Sequence, residues 1–140
     1  MTKEDKKVEL NDHAIAEYGD FEVYVKRAGI TGREYSDKVA AVEAKYRRKN
    51  AAVKAGHISE EGAKKIDDLM RGDFAKLAAE YIVSGWKGKL KGKKLPEYSL
   101  AEGTKFFSEP DNQLFFIDVL EVASDAASFE KKLDEQEIKN

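Results

Sequence analysis

Apolar residues recur along this chain with two periods, and each period predicts an element. Phe21, Val23 and Val25 alternate with Glu22 and Tyr24, the spacing of a strand with one buried face. A short strand needs a partner, and the candidates are residues 13–18 and the Lys-rich segment further along. Ala28-Gly29-Ile30-Thr31-Gly32 breaks the alternation, and Thr31 with Glu34 has the pattern of a capping box that opens a helix. Tyr35, Val39, Val42 and Tyr46 then fall on one helical face, predicting a helix that reaches Ala55 and stops at Gly56. Ser59 opens the next helix, with Glu60 and Glu61 in the first turn, where they complement the helix dipole. Ala63, Ile66, Met70, Phe74, Leu77 and Tyr81 carry it onward, and Gly85 is placed to end it.

From Gly85 to Pro96 the chain holds Gly85, Gly88 and Gly92 with Leu90 and Leu95, the make-up of a loop or a small hairpin turning near Gly92. Ser99 and Glu102 form another capping box, ahead of a short helix with Leu100, Phe106 and Phe107. Ser108, Pro110 and Asp111 open the last helix. Its apolar residues, from Leu114 to Phe129, occupy more than one face and leave Asp118, Glu121 and Asp125 on a narrow strip. Such a helix either lies at the centre of a bundle or has one face covered by another molecule. The fold expected is mainly α: a small bundle of about four helices with a short N-terminal strand or hairpin. A Gly/Lys-rich loop separates the third helix from the C-terminal helices. Residues 1–12 are expected to be a flexible N-terminus, 13–130 a single mostly helical domain, and 131–140 a polar C-terminal extension.

A length of 140 residues suits one core, and 25 basic against 27 acidic residues give a net charge of -2, so no general attraction to nucleic acid or anionic lipid follows. The charge is unevenly placed. Lys87, Lys89, Lys91, Lys93 and Lys94 make the middle basic, whereas the chain beyond Glu97 is acidic. The absence of Cys excludes disulfides, thiol nucleophiles and Cys-ligated metals, and no apolar run approaches the roughly 20 residues of a membrane span. The charged Met1–Lys7 stretch lacks the apolar run of a signal peptide. His13 and His57 have no carboxylate or His at ligand spacing, Asp67 and Asp68 point to different sides of a helix, and no phosphate loop, nucleophile elbow or zinc-protease pattern occurs. Neither an enzyme nor a cofactor is expected.

Two features remain for partner binding. The five Lys residues beside Trp86 and Tyr98 resemble the basic and aromatic mixture of single-strand nucleic-acid binders, but they equally suit a solvated hairpin whose charges keep a strand edge unpaired. The acidic tail would repel a polyanion, which disfavours nucleic acid. The second feature is the cluster Phe106, Phe107, Leu114, Phe115, Phe116, Ile117, Val119, Phe129 and Leu133, which is core on one reading and in part a surface for another protein or a second copy on the other.

The run Val83-Ser84-Gly85-Trp86-Lys87-Gly88, then Leu95-Pro96-Glu97-Tyr98-Ser99 with Glu102, and finally Phe115-Phe116-Ile117 through Ala126-Ala127-Ser128-Phe129, resembles the tail assembly chaperones of long-tailed bacteriophages. The likeness spans roughly residues 20 to 130, and the Lys density between Gly88 and Leu95 exceeds the family pattern. The resemblance implies a non-enzymatic, mostly helical protein of the host cytoplasm, absent from the mature virion. Such a protein binds the tape-measure protein, keeps it soluble and helps recruit tail-tube subunits, in some members through a longer frameshifted form, with self-association. Gly85, Trp86, Gly88, Pro96, Tyr98 and Ser99 would be a structural junction that sets the Phe-rich helix against the bundle. The competing expectations are a nucleic-acid-associated protein using Lys87–Lys94 and a structural component of the tail.

Overall fold

The computed structural model describes residues 11–27 and 32–130. Four strands form one antiparallel sheet in sequence order: β1 (His13–Glu17), β2 (Phe21–Lys26), β3 (Val83–Leu90) and β4 (Lys93–Lys94). Four helices accompany it among the described residues: α1 (Arg33–Lys54), α2 (Glu60–Leu77), α3 (Leu100–Ser108) and α4 (Gln113–Ser124). The small helical bundle expected from the apolar periodicity is therefore not what forms. The molecule is mixed α and β, and the expected N-terminal hairpin is only half of a sheet completed by the Lys-rich segment, which forms the small hairpin near Gly92 in place of a loop.

The β1–β2 pair follows directly from the alternation. Ala14 and Ala16 face the core opposite Val25 and Val23, while Ile15 and Tyr24 pair on the outer face. β3 continues the sheet by pairing Phe21 with Gly88, Val23 with Trp86 and Tyr24 with Gly85, after which the register shifts so that Val25 meets Val83. Ser84 is the residue left over by this bulge, and it lets Val83 and Trp86, three positions apart, both point inward. The spacing disguises the strand, because an alternating pattern cannot survive an inserted residue. Lys91 and Gly92, both with positive φ, form the tight turn into β4.

Gly85 does not end the preceding helix. α2 stops at Leu77, and a single π-helical turn, Ala78–Ile82, leads into β3. Widening the turn frees backbone carbonyls for outside donors. Tyr98 Oη donates to the Ala79 carbonyl at 2.6 Å, and Lys26 Nζ donates to that of Glu80 at 3.1 Å. Two of the expected caps form: Ser59 accepts from the Gly62 amide and Ser99 from the Glu102 amide, each at 3.1 Å. α1 instead begins after Gly32 with no side-chain cap, and Thr31 lies outside the described residues.

One core joins the inner sheet face to the end of α2, the π turn, α3 and α4. Val23, Val25, Ile82, Val83, Phe107, Val119 and Phe129 are all fully buried. At about 1.5–3 kcal/mol for each such side chain, this group dominates the stability. α1 differs, since Tyr46 is its only buried residue over 22 positions. It is held to α2 by Tyr46 Oη donating to Asp73 Oδ2 at 2.7 Å and by Lys45 Nζ on the same oxygen at 3.0 Å, and to the π turn by ring contact between Tyr35 and Tyr81. α1 is thus the less firmly anchored helix of the fold, whereas α2 is fixed to the core through Ala75 and Leu77.

Candidate protein-binding surface

The Phe-rich region separates into core and surface once folded. Phe106, Phe107, Phe116, Val119 and Phe129 are buried, Phe115 is half-buried, and Leu133 lies outside the described residues. Phe115 wedges between Tyr18 and Phe21 with ring centroids 5.1 Å from each, and Phe116 stacks near Phe107 at 5.6 Å. Leu114 and Ile117 are left out. They stand 81% and 52% exposed, three residues apart on one side of α4.

Several polar contacts fix the angle at which α4 presents that side. Gln113 Nε2 donates to the carbonyls of Phe107 and Glu109 at 2.8 and 2.9 Å, and Asn112 Nδ2 donates to that of Phe106 at 3.0 Å. These amides satisfy carbonyls at the end of α3 that have no partner within the helix. Next to Leu114 on the helix, Tyr18 Oη donates to Asp118 Oδ2 at 2.7 Å, tying the middle of α4 to the β1–β2 hairpin. Burial, followed by the hydrogen bond and charge of Asp118, pushes the Tyr18 hydroxyl well above its ordinary pKa, so it stays a donor at any physiological pH. With its first turn and its middle held, α4 presents Leu114 and Ile117 at a fixed angle, and beside Ile117 a shallow concavity of about 370 Å³ runs past Leu120, Glu121, Ser124 and Asp125.

Of the six junction residues, Trp86, Pro96 and Tyr98 come together at the margin of the sheet, while Gly85, Gly88 and Ser99 each contact other residues. Trp86 projects from the inner face of β3, donates from Nε1 to the Pro96 carbonyl at 2.7 Å, and contacts Tyr98 edge-on at 4.8 Å and Phe106 at 5.3 Å. Tyr98 lies across Gly103, where a Cβ would come within 2.7 Å of its hydroxyl. Gly88, with φ of 116°, passes so close to the β1–β2 turn that a Cβ would stand 2.3 Å from the Asp20 carbonyl oxygen. Ser99 caps α3, and Gly85 lies under the Tyr24 ring on the outer face. Only 8% exposed, Trp86 has no free ring face on which a base would stack. Of the lysines, Lys87 lies 4.0 Å from Glu22, whereas Lys89 and Lys94 stand directly opposite each other across the β3–β4 ladder.

The profile of a family described as YdaY prophage protein matches residues 30–140. The chain belongs to that family. It is therefore a phage-derived protein, and the matched region contains α1 to α4, β3 and β4, and so both the Trp86 cluster and the exposed side of α4. Neither a curated protein nor a solved structure matches the chain. Membership in the YdaY family supports the phage origin that the resemblance implies, without reaching the specific role of a tail assembly chaperone. No group of His, Cys, Asp and Glu among the described residues is arranged to hold a metal ion, and no described helix is long and apolar enough to cross a membrane.

Proposed function

We propose that this phage-derived protein is a tail assembly chaperone: a non-catalytic protein of the host cytoplasm that covers apolar helical segments of the tape-measure protein until the tail tube forms around it. The observation that carries this reading is the exposed pair Leu114 and Ile117 on an otherwise well-packed helix. The resemblance of Val83–Gly88, Leu95–Ser99 and Phe115–Phe129 to that chaperone family agrees with it, as does the prophage family membership. A chaperone must hold its client and then release it. Covering about 400 Å² of apolar surface at about 25 cal/mol per Å² yields roughly 10 kcal/mol, against association costs of about 4–15 kcal/mol. A single contact of this size is weak and reversible, and firm retention requires several copies along one long client. Recruitment of tail-tube subunits, through a longer frameshifted form, and self-association into an array belong to the same proposal.

The test is to induce the prophage and follow this chain by mass spectrometry. Recovery with the tape-measure protein from lysates, together with absence from purified virions, is the expected result. Its presence in virions at fixed stoichiometry would identify a structural tail component instead, and recovery mainly on DNA would transfer the function to the Lys-rich hairpin.

A further inference from the structure

A second apolar feature lies away from Leu114. The seam between α1 and α2 opens into a concavity of about 500 Å³, walled by Arg47, Ala51, Lys54, Met70 and Phe74. Met70 and Phe74 also wall a neighbouring concavity of about 440 Å³, which reaches Tyr35, Phe116 and Leu120. Leu120 in turn borders the concavity beside Ile117, Glu121 and Asp125 on α4. Three depressions thus adjoin through shared walls, and along the α1 side alone, from Glu43 to Lys54, the trough extends about 16 Å at 1.5 Å per residue.

We propose that this trough binds one amphipathic helix of another protein in a single direction, its N-terminus at the Glu121–Asp125 end and its C-terminus at the Arg47–Lys54 end. The floor selects a helix over an extended peptide. Phe74 and Leu120 have no polar side-chain atom, the Met70 sulfur already accepts from Asn50 Nδ2 at 3.7 Å, and Arg71, the cation beside them, is already engaged by Asp67, Asp68 and the Ser108 carbonyl. An extended segment would leave its amides and carbonyls unpaired on such a floor, whereas a helix satisfies its own. The ends select the direction. Glu121 makes one end acidic and suits the positive pole of a helix dipole; Arg47 and Lys54 outweigh Glu43 at the other and suit the negative pole. The proposal rests on the chaperone reading for the identity of the client, but not for the existence or polarity of the groove.

The chain contains no Cys, and Ala51 and Ser124 are exposed, so Ala51→Cys and Ser124→Cys each place one thiol at a known end. The probe is a synthetic amphipathic peptide of roughly 20 residues, with Leu at helical spacing and a bromoacetyl group at either terminus. N-terminal bromoacetyl should alkylate the Ser124→Cys protein at least about tenfold faster than the Ala51→Cys protein, C-terminal bromoacetyl should show the reverse, and Met70→Glu with Leu120→Glu should abolish both preferences. Equal rates at both ends, or the opposite polarity, would overturn the proposal. So would rates that rise only after removal of residues 131–140, which would assign the groove to the chain's own terminus, or disulfide dimers of the Cys proteins in place of peptide capture, which would assign it to a second copy. Peptide capture without a directional preference, alongside intact tape-measure protection, would sink the groove and leave the chaperone reading standing. Directional peptide capture without tape-measure protection would do the opposite.

Discussion

Replacing Gly88 by Ala tests the sheet more sharply than any change in the apolar core. The residue has φ of 116°, where an L side chain is strained by about 1–3 kcal/mol. The added Cβ would also stand 2.3 Å from the Asp20 carbonyl oxygen and 2.6 Å from Phe21 Cα. Both are backbone atoms, so the overlap cannot be relieved by turning a side chain, and β3 must move away from the β1–β2 turn. That displacement would disturb the Lys89 amide, which donates to the same Asp20 carbonyl at 2.9 Å. Strain and displacement together are expected to cost about 4 kcal/mol or more, a large share of the 5–15 kcal/mol that holds a domain folded. Two other glycines calibrate the result. Gly92 has φ of 80° with nothing within 4 Å of its Cβ position, so Gly92→Ala should cost only about 1–2 kcal/mol. Gly72 lies inside α2 in open space, and Gly72→Ala should stabilise by about 0.5–1 kcal/mol. Urea unfolding followed by circular dichroism separates the three. If Gly88→Ala costs no more than Gly92→Ala, β3 does not pass the turn this closely and the sheet is misassembled in our account.

Tyr98→Phe removes the donor to the Ala79 carbonyl while keeping the ring over Gly103, and should lower stability by about 1–2 kcal/mol in the same unfolding assay. The α1–α2 clasp should depend on pH at both extremes. Partial burial alone would raise the Asp73 pKa, but the Tyr46 hydroxyl and the Lys45 ammonium outweigh it and hold the carboxyl below its ordinary 3.8. The unfolded chain therefore takes up a proton first as pH falls, and the contribution present above about pH 4 is lost below it. Tyr46 is shifted upward, by burial first and by Asp73 second, so its contribution holds below about pH 10 and fails as the pH rises past it. Thermal melts of wild type and Asp73→Asn should differ most near neutral pH and converge in acid; a constant difference would contradict the assignment.

Some elements are legible in the sequence because one local rule decides them. The alternation from Phe21 to Val25 names a strand, and Ser59 and Ser99 name two helix starts through hydroxyls that accept from the third residue along. β3 is legible only in part: the Lys-rich segment stands out as a candidate partner for β2 and as a hairpin turning near Gly92, but the bulge at Ser84 sets Val83 and Trp86 three apart, and Lys87, Lys89 and the glycines dilute the apolar signal that would mark the strand's start. The end of α2 is hidden for a related reason: Leu77 and Tyr81 keep helical spacing through the π turn, so the periodicity outlasts the helix. Within the site, Leu114 and Phe116 look alike in a run of apolar residues. Which of them reaches solvent depends on how the amides of Asn112 and Gln113 orient α4, and that is set by tertiary contacts with α3. The trough between α1, α2 and α4 is a matter of packing throughout, with no motif to announce it.

The central claim, that the uncovered side of α4 engages an apolar helical client, is tested most directly by co-expressing the tape-measure protein of the same prophage and measuring its soluble fraction. Leu114→Asp with Ile117→Asp changes two exposed residues and should leave the melting temperature within a few degrees of wild type. Wild-type chain should keep the tape-measure protein in the supernatant, and the double variant should lose most of that protection. Equal protection by the two proteins, with both folded, would contradict the account.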